Sequence, residues 1–179
     1  MIEVISDILK FIVLLTDIAT ILLIIILIIN KLAKAKLKFT NTIIAFARTY
    51  ATQLALAVAL TATLGSLYYS EILNYTPCEL CWYQRIFMYP LVLLFALAWW
   101  KKKQDIPLYA LPLAILGAVV AAWHYSMQKF WIPVTCSVNE AASCATKYTF
   151  AYGYITISMM ALTGFIAIII LMILKLKEK

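Results

Sequence analysis

Histidine is almost missing from this chain, which has one, and glycine is scarce at four. The single histidine, His124, excludes a haem held between two histidines of the chain. The scattered glycines form no phosphate-cradling loop for a nucleotide cofactor. Charge is also thin. Only 13% of the 179 residues are Asp, Glu, Lys or Arg, about half the usual share. With 65% hydrophobic residues and a mean hydropathy of +0.96, a water-soluble fold of this length cannot hide its apolar surface, so lipid is the solvent for most of the chain.

What the chain does have is long apolar runs. Segments near Phe11–Ile29, Ala51–Tyr69, Trp82–Trp100, Pro107–Trp123 and Tyr152–Leu174 approach or exceed the roughly 18–20 residues that cross a bilayer as a helix. They are continuous rather than alternating, which argues against a barrel. The predicted fold is therefore an all-α membrane protein: a four-helix transmembrane bundle, residues 41–179, preceded by an N-terminal anchor helix and basic linker, residues 1–40. The first segment opens on Glu3 and Asp7 and lacks a small-residue cleavage site, so it reads as an anchor rather than a signal peptide. Lys10 and Asp17 share one face of it, either as a polar stripe packed on other helices or as a partner-binding face.

The net charge of +7 would suit nucleic acid, but its distribution favours a membrane. Lys31, Lys34, Lys36, Lys38 and Arg48, then Lys101, Lys102 and Lys103, then Lys175, Lys177 and Lys179 all fall on one side of a five-helix topology. The positive-inside rule makes that side cytoplasmic. The expectation is a multi-pass protein of the cell (inner) membrane with its C-terminus in the cytoplasm. The stretch "NKLAKAKLKFTNT" reads as a short basic connection suited to an anionic leaflet. Two connections remain on the outer side, one from Ser70 to about Cys81 and one from His124 to about Ala151.

The four cysteines divide evenly between those outer connections, as Cys78/Cys81 and Cys136/Cys144. Extracytoplasmic compartments permit disulfides. Two structural staples would suit Cys136/Cys144, but a Cys-x-x-Cys ring restrains almost no chain entropy and is more often redox-active or metal-binding. Zinc would need four converging ligands, and the seven residues between Cys136 and Cys144 do not resemble a zinc ribbon. Trp82 stands where haem attachment requires histidine. Thiol–disulfide exchange between the two pairs remains. Pro77 puts Cys78 at the start of a helix, whose amides favour a thiolate. Arg85 lies one turn beyond Cys81, placed either to act on a thiolate or acceptor or to snorkel to phosphate. An electron acceptor dissolved in lipid needs only an apolar slot and one or two donors. Trp82, Tyr83, Arg85, Trp123 and His124 are candidates to build it, although His124 would serve equally as a headgroup-facing residue.

The motif "PCELCWYQRIFMYPL", with "LGSLYYSEI" before it and "WHYSMQ" and "GYITISMMALTGF" after it, resembles the DsbB/BdbC family of membrane thiol oxidases over about residues 47–174. The resemblance implies a four-helix bundle that passes electrons from an extracytoplasmic DsbA-like, thioredoxin-fold protein to a quinone, either ubiquinone or menaquinone. It implies that the partner's thiolate attacks Cys136, that Cys144 attacks Cys78, and that Cys81 faces the quinone. Arg85 would then stabilise charge, with His124 near the ring. Gln84 stands where some members carry an acidic residue, and the Cys136–Cys144 loop is short. Other readings are a stapled structural or receptor-like membrane protein and a relative of vitamin K epoxide reductase, whose usual cysteine order is the reverse of this one.

Overall fold

The computed structural model describes residues 2–32, 38–103, 105–130, 144 and 148–177. They form six helices: α1 (Ile2–Leu32), α2 (Lys38–Thr49), α3 (Ala51–Leu67), α4 (Glu79–Trp100), α5 (Ile106–Phe130) and α6 (Ile157–Leu176). All but α2 are long and apolar enough to cross a membrane. A helix meets every backbone hydrogen bond within itself, which is what hydrocarbon demands. The protein is an all-α, multi-pass membrane protein.

Helices α3, α4, α5 and α6 make the bundle. Between apolar helices in lipid, close contact and not water exclusion holds the structure together, so small residues gather at the seams. Ala51, Ala55 and Ala59 form such a seam on α3, and Ala110, Ala114, Gly117 and Ala121 form another on α5. Opposite them, α4 supplies Met88, Leu91 and Phe95, and α6 supplies Phe165, Ile168 and Met172. Gly117 leaves room for the fully buried Phe165 ring: a methyl group built there would lie 2.3 Å from ring carbons.

Helix α1 lies outside this bundle, touching α6 and α2. Of the Lys10/Asp17 face, Asp17 packs against other elements while Lys10 pairs within α1. Lys10 pairs with Asp7 at 2.9 Å, while Asp17 accepts hydrogen bonds from Tyr154 (2.9 Å) and Thr163 (2.6 Å). Tyr154 is held there by a tight turn, with Ala151 and Ile155 exchanging backbone bonds of 2.9–3.0 Å and Tyr152 and Gly153 at positive φ.

Three boundaries differ from the sequence expectations. Part of the basic connection at 30–42 is helical, because α1 runs to Leu32 and α2 begins at Lys38. Thr40, Ile44, Ala47 and Ala51 repeat at helical spacing as buried residues, a signal masked by the surrounding lysines. Helix α5 continues to Phe130, so His124 lies within it rather than at its end. Helix α6 starts at Ile157, capped by Thr156 accepting from the Met159 N–H at 3.3 Å. Residues 152–155, read as the start of the last apolar run, belong to the turn before it. Between α3 and α4, residues Tyr68–Ile72 widen into a π-helical turn, which ends α3 and aims Tyr69 inward.

Gly117→Leu should destabilise the bundle by about 1–3 kcal/mol through overpacking, lowering the thermal midpoint in detergent. Phe165→Leu in the same chain should recover part of the loss.

Candidate thiol–disulfide site

The ends of α3 and α5 and the beginnings of α4 and α6 meet at one end of the bundle, and the described cysteines are all there. Cys78 is the residue preceding α4, with extended backbone (φ −74°, ψ 172°). Its sulfur therefore sits at a helix N-terminus, where unpaired amides and the helix dipole favour negative charge. The Cys78 and Cys81 sulfurs are 3.2 Å apart and hydrogen-bonded. Cys136 lies outside the described residues. Cys144 is described and fully buried, packed in one cluster with Cys78 and Met127.

His124 organises this end. Its Nδ1 is 3.0 Å from Gln84 Nε2 and its Nε2 is 3.1 Å from the Cys144 carbonyl oxygen. A carbonyl only accepts, so the Cys144 contact calls for a proton on Nε2, and Gln128 Nε2 lies 3.4 Å from that same atom. The same Nε2 lies 3.7 Å from Cys78 Sγ. Behind the ring, Gln128 accepts from Ser158 through its carbonyl oxygen, and Ser158 bonds Thr156 at 2.9 Å. Gln84, Gln128, Thr156 and Ser158 are all buried. None was a sequence candidate for this role. The available signal was a set of amides and hydroxyls on otherwise apolar helices, which in hydrocarbon must find partners.

The Cys78 thiol is pulled far down, to about 4. The largest cause is its hydrogen bond with Cys81. His124 contributes a further bond, and a Cys81 backbone bond adds to these, while burial opposes them. With the helix terminus and His124 both directed at Cys78, the proton of the reduced pair resides on Cys81.

A cavity of about 300 Å³ opens on the other side of Cys81. It is mostly apolar and is bordered by α1, α3, α4 and α6, with Cys81, Gln84, Arg85, Ser66 and Tyr89 on its wall. Arg85 is fixed by Ser66: Nε donates to the hydroxyl at 2.9 Å and Nη2 to the carbonyl at 3.1 Å. Its guanidinium lies 5.1 Å from the centre of the Trp82 ring. At the rim, Tyr69, Tyr75 and Tyr148 stack in succession, with centroids 6.0 and 4.8 Å apart.

Of the five side chains expected to wall an acceptor slot, only Arg85 borders this cavity. Trp82, Tyr83 and Trp123 are each more than half exposed and face outward. His124 instead borders a separate crevice of about 20 Å³ with Cys78 and Cys81. Cys81 alone of the two α4 sulfurs touches both spaces.

Cys78, Cys81 and His124 also bring three potential metal ligands within 4.8 Å of one another. Two thiolates on a tetrahedral zinc stand about 3.8 Å apart given zinc–sulfur bonds of about 2.3 Å. The 3.2 Å sulfur contact is tighter and suits a pair that exchanges a bond.

A family described as Disulfide bond formation protein DsbB matches residues 47–176. The chain belongs to the DsbB family. Disulfide bond formation protein C of Bacillus subtilis is 47% identical over 125 residues, covering 68% of this chain and 89% of that protein. Probable disulfide formation protein C of Bacillus cereus is 42% identical over 133 residues, covering 73% and 94%. Probable disulfide formation protein C of Halalkalibacterium halodurans is 43% identical over 124 residues, covering 68% and 89%. No solved structure gives a significant match. As a DsbB-family membrane protein, the chain is an oxidoreductase with a thiol-oxidase role in disulfide bond formation, acting on thiol–disulfide partners.

The ultraviolet absorbance of the reduced Cys78 thiolate, read with Cys136 and Cys144 replaced by serine, should titrate with a midpoint near 4. His124→Phe should move that midpoint upward. A folded thiol pKa below the unfolded one, about 8.5, stabilises the reduced fold fully above that value. That contribution should shrink as pH falls towards 4.

Proposed function

We propose that the protein reoxidises an extracytoplasmic DsbA-like protein of thioredoxin fold and passes two electrons through Cys136/Cys144 and Cys78/Cys81 to a membrane quinone. The observation carrying this reading is the division of the two α4 sulfurs: Cys78 packs on Cys144, while Cys81 borders the apolar cavity.

In the first step the partner's thiolate attacks Cys136 of the Cys136–Cys144 disulfide. The partner's second thiol then displaces Cys136, leaving the partner oxidised and both loop cysteines reduced. Next, the Cys144 thiolate attacks Cys78, the Cys78–Cys81 bond breaks, and Cys81 leaves as a thiolate. Cys136 resolves the Cys144–Cys78 bond, which restores the loop disulfide and leaves Cys78 and Cys81 reduced. Cys78 is the sulfur that departs in this resolving step, and exchange of this kind runs fastest when the departing sulfur is a stable thiolate.

A quinone, when bound, takes up two electrons and two protons, and Cys78/Cys81 returns to its disulfide. The cavity suits such a ligand: about 300 Å³ is at the lower end of small-molecule pockets. It is apolar, with Arg85, Tyr89 and Gln84 as donors near Cys81. Arg85 would hold a ring oxygen, with Trp82 supporting it by cation–π contact. His124 would act on the sulfur pair, keeping Cys78 charged and aligned with Cys144.

The clusters Lys101–Lys103 and Lys175–Lys177 lie at the end away from the cysteines. This supports a cytoplasmic face there and an extracytoplasmic redox end in the cell membrane. The family match beginning at residue 47 supports a redox bundle over 41–179 with residues 1–40 as an appended anchor.

The test is an anaerobic assay in detergent with reduced thioredoxin-fold partner and either ubiquinone or menaquinone. Wild-type protein should oxidise many equivalents of partner only when quinone is present. Cys78→Ser and Cys81→Ser should each reduce this to a single stoichiometric oxidation by the loop disulfide. A protein carrying structural disulfides alone would show no quinone-dependent turnover in any form.

A further inference from the structure

Helix α1 lies outside the DsbB match, which begins at residue 47. The 125 matched residues are 89% of the Bacillus subtilis relative, leaving about 15 of its residues unmatched against the 31 of α1. A helix of this length is therefore an addition to the bundle those relatives share. Its position is specific. Leu9, Ile12, Val13 and Thr16 border the cavity beside Cys81, and their i, i+3, i+4, i+7 spacing makes them one face of the helix.

Two polar contacts bracket that stripe. Ser6 bonds the Tyr69 hydroxyl at 3.4 Å, and Asp17 accepts from Tyr154 and Thr163. Lipid tails are as apolar as the surface of α1, so hydrophobicity gives this helix no reason to prefer protein over lipid. A carboxyl group at this depth is different: released from its donors it would face hydrocarbon at considerable cost. Asp17 therefore acts as a clasp that keeps α1 over the cavity. Close approach to α3 is possible at Gly65, where an added methyl would stand 3.5 Å from a Leu9 Cδ atom.

The α1 wall is apolar in character. Its one hydroxyl, on Thr16, donates to the Ile12 carbonyl at 2.8 Å. The polar donors stand across the cavity on α3 and α4, where Ser66 fixes Arg85. We infer that α1 is a built-in wall of the quinone chamber, clasped by Asp17, which seats the prenyl-bearing side of the quinone while the ring oxygens face Arg85. This deepens the quinone reading and rests on it.

The experiment uses the full-length protein in detergent with an azido-quinone and unlabelled quinone as competitor. Photolabel on α1 peptides, lost on competition, is expected. In turnover assays, Val13→Trp, which fills the chamber, should raise the KM for quinone about tenfold or more while leaving kcat much less affected. Asp17→Leu should raise KM as well, and Asp17→Asn, which keeps an acceptor, should recover much of the loss. Ile18→Trp, on the exposed face, should change nothing. The rate of quinone-independent exchange between the cysteine pairs should be unaltered throughout. Label confined to α3, α4 and α6, or an unchanged KM in a folded Val13→Trp protein, overturns the inference and leaves the quinone reading standing. Wild-type protein that never shows quinone-dependent turnover overturns both.

Discussion

A bilayer offers little water to a buried imidazole, so the His124 ring must take its hydrogen bonds from the helices around it. Four partners surround it: Gln84 on α4, the Cys144 carbonyl, the Cys78 sulfur and Gln128 on its own helix. The single ring thereby ties the start of α4, which carries Cys78 and Gln84, to Cys144. Gln84 holds Nδ1 at 3.0 Å. The ring's Nε2 faces the Cys144 carbonyl and the Cys78 sulfur. Leaving any of these groups unpaired in a low-dielectric interior would cost about 1–3 kcal/mol, so the contacts reinforce one another.

From that fixed point the two sulfurs of the α4 pair acquire different surroundings. Cys78 caps the helix and packs on Cys144, whereas Cys81, one turn in, reaches the apolar cavity. The three-residue spacing of the motif gives each sulfur its own side while keeping them in bonding reach. One helix terminus can thus present a thiol couple to Cys144 on one side and to an apolar cavity on the other. Arg85 extends the same logic. Its fork is used by Ser66 on α3, so the guanidinium is held at the cavity wall instead of snorkelling to the headgroups.

The bundle was legible in the chain because lipid makes a simple demand, and each long apolar run could be read as a helix. The cysteine motif was equally plain, as Cys-x-x-Cys after a proline places a thiol at a helix start. Less legible were features that depend on which face of a helix turns inward. Trp82, Tyr83 and Trp123 looked like walls because aromatic side chains suit a quinone, yet at a membrane surface they are equally at home against headgroups, and they face outward. His124 lies a turn and a half inside α5 because the helix outlasts its most apolar stretch. Helix α2 was hidden by lysines around a short buried stripe. The residues that support the site, Gln84, Gln128, Thr156 and Ser158, come from three segments that only the fold brings together.

The energetics of the α4 pair point in one direction. Stabilising a thiolate stabilises the reduced form, and a dithiol whose reduced form is stabilised is a stronger oxidant. Cys78, held down by its bond with Cys81 and by His124, makes its disulfide ready to draw electrons from an ordinary cysteine pair. The same stabilisation makes the electrons harder to pass on, and only an acceptor of higher potential can take them. A couple poised in this way would stall in water, where few such acceptors are within reach. Set against an apolar chamber, the couple lies where an acceptor dissolved in the membrane would close the proposed cycle.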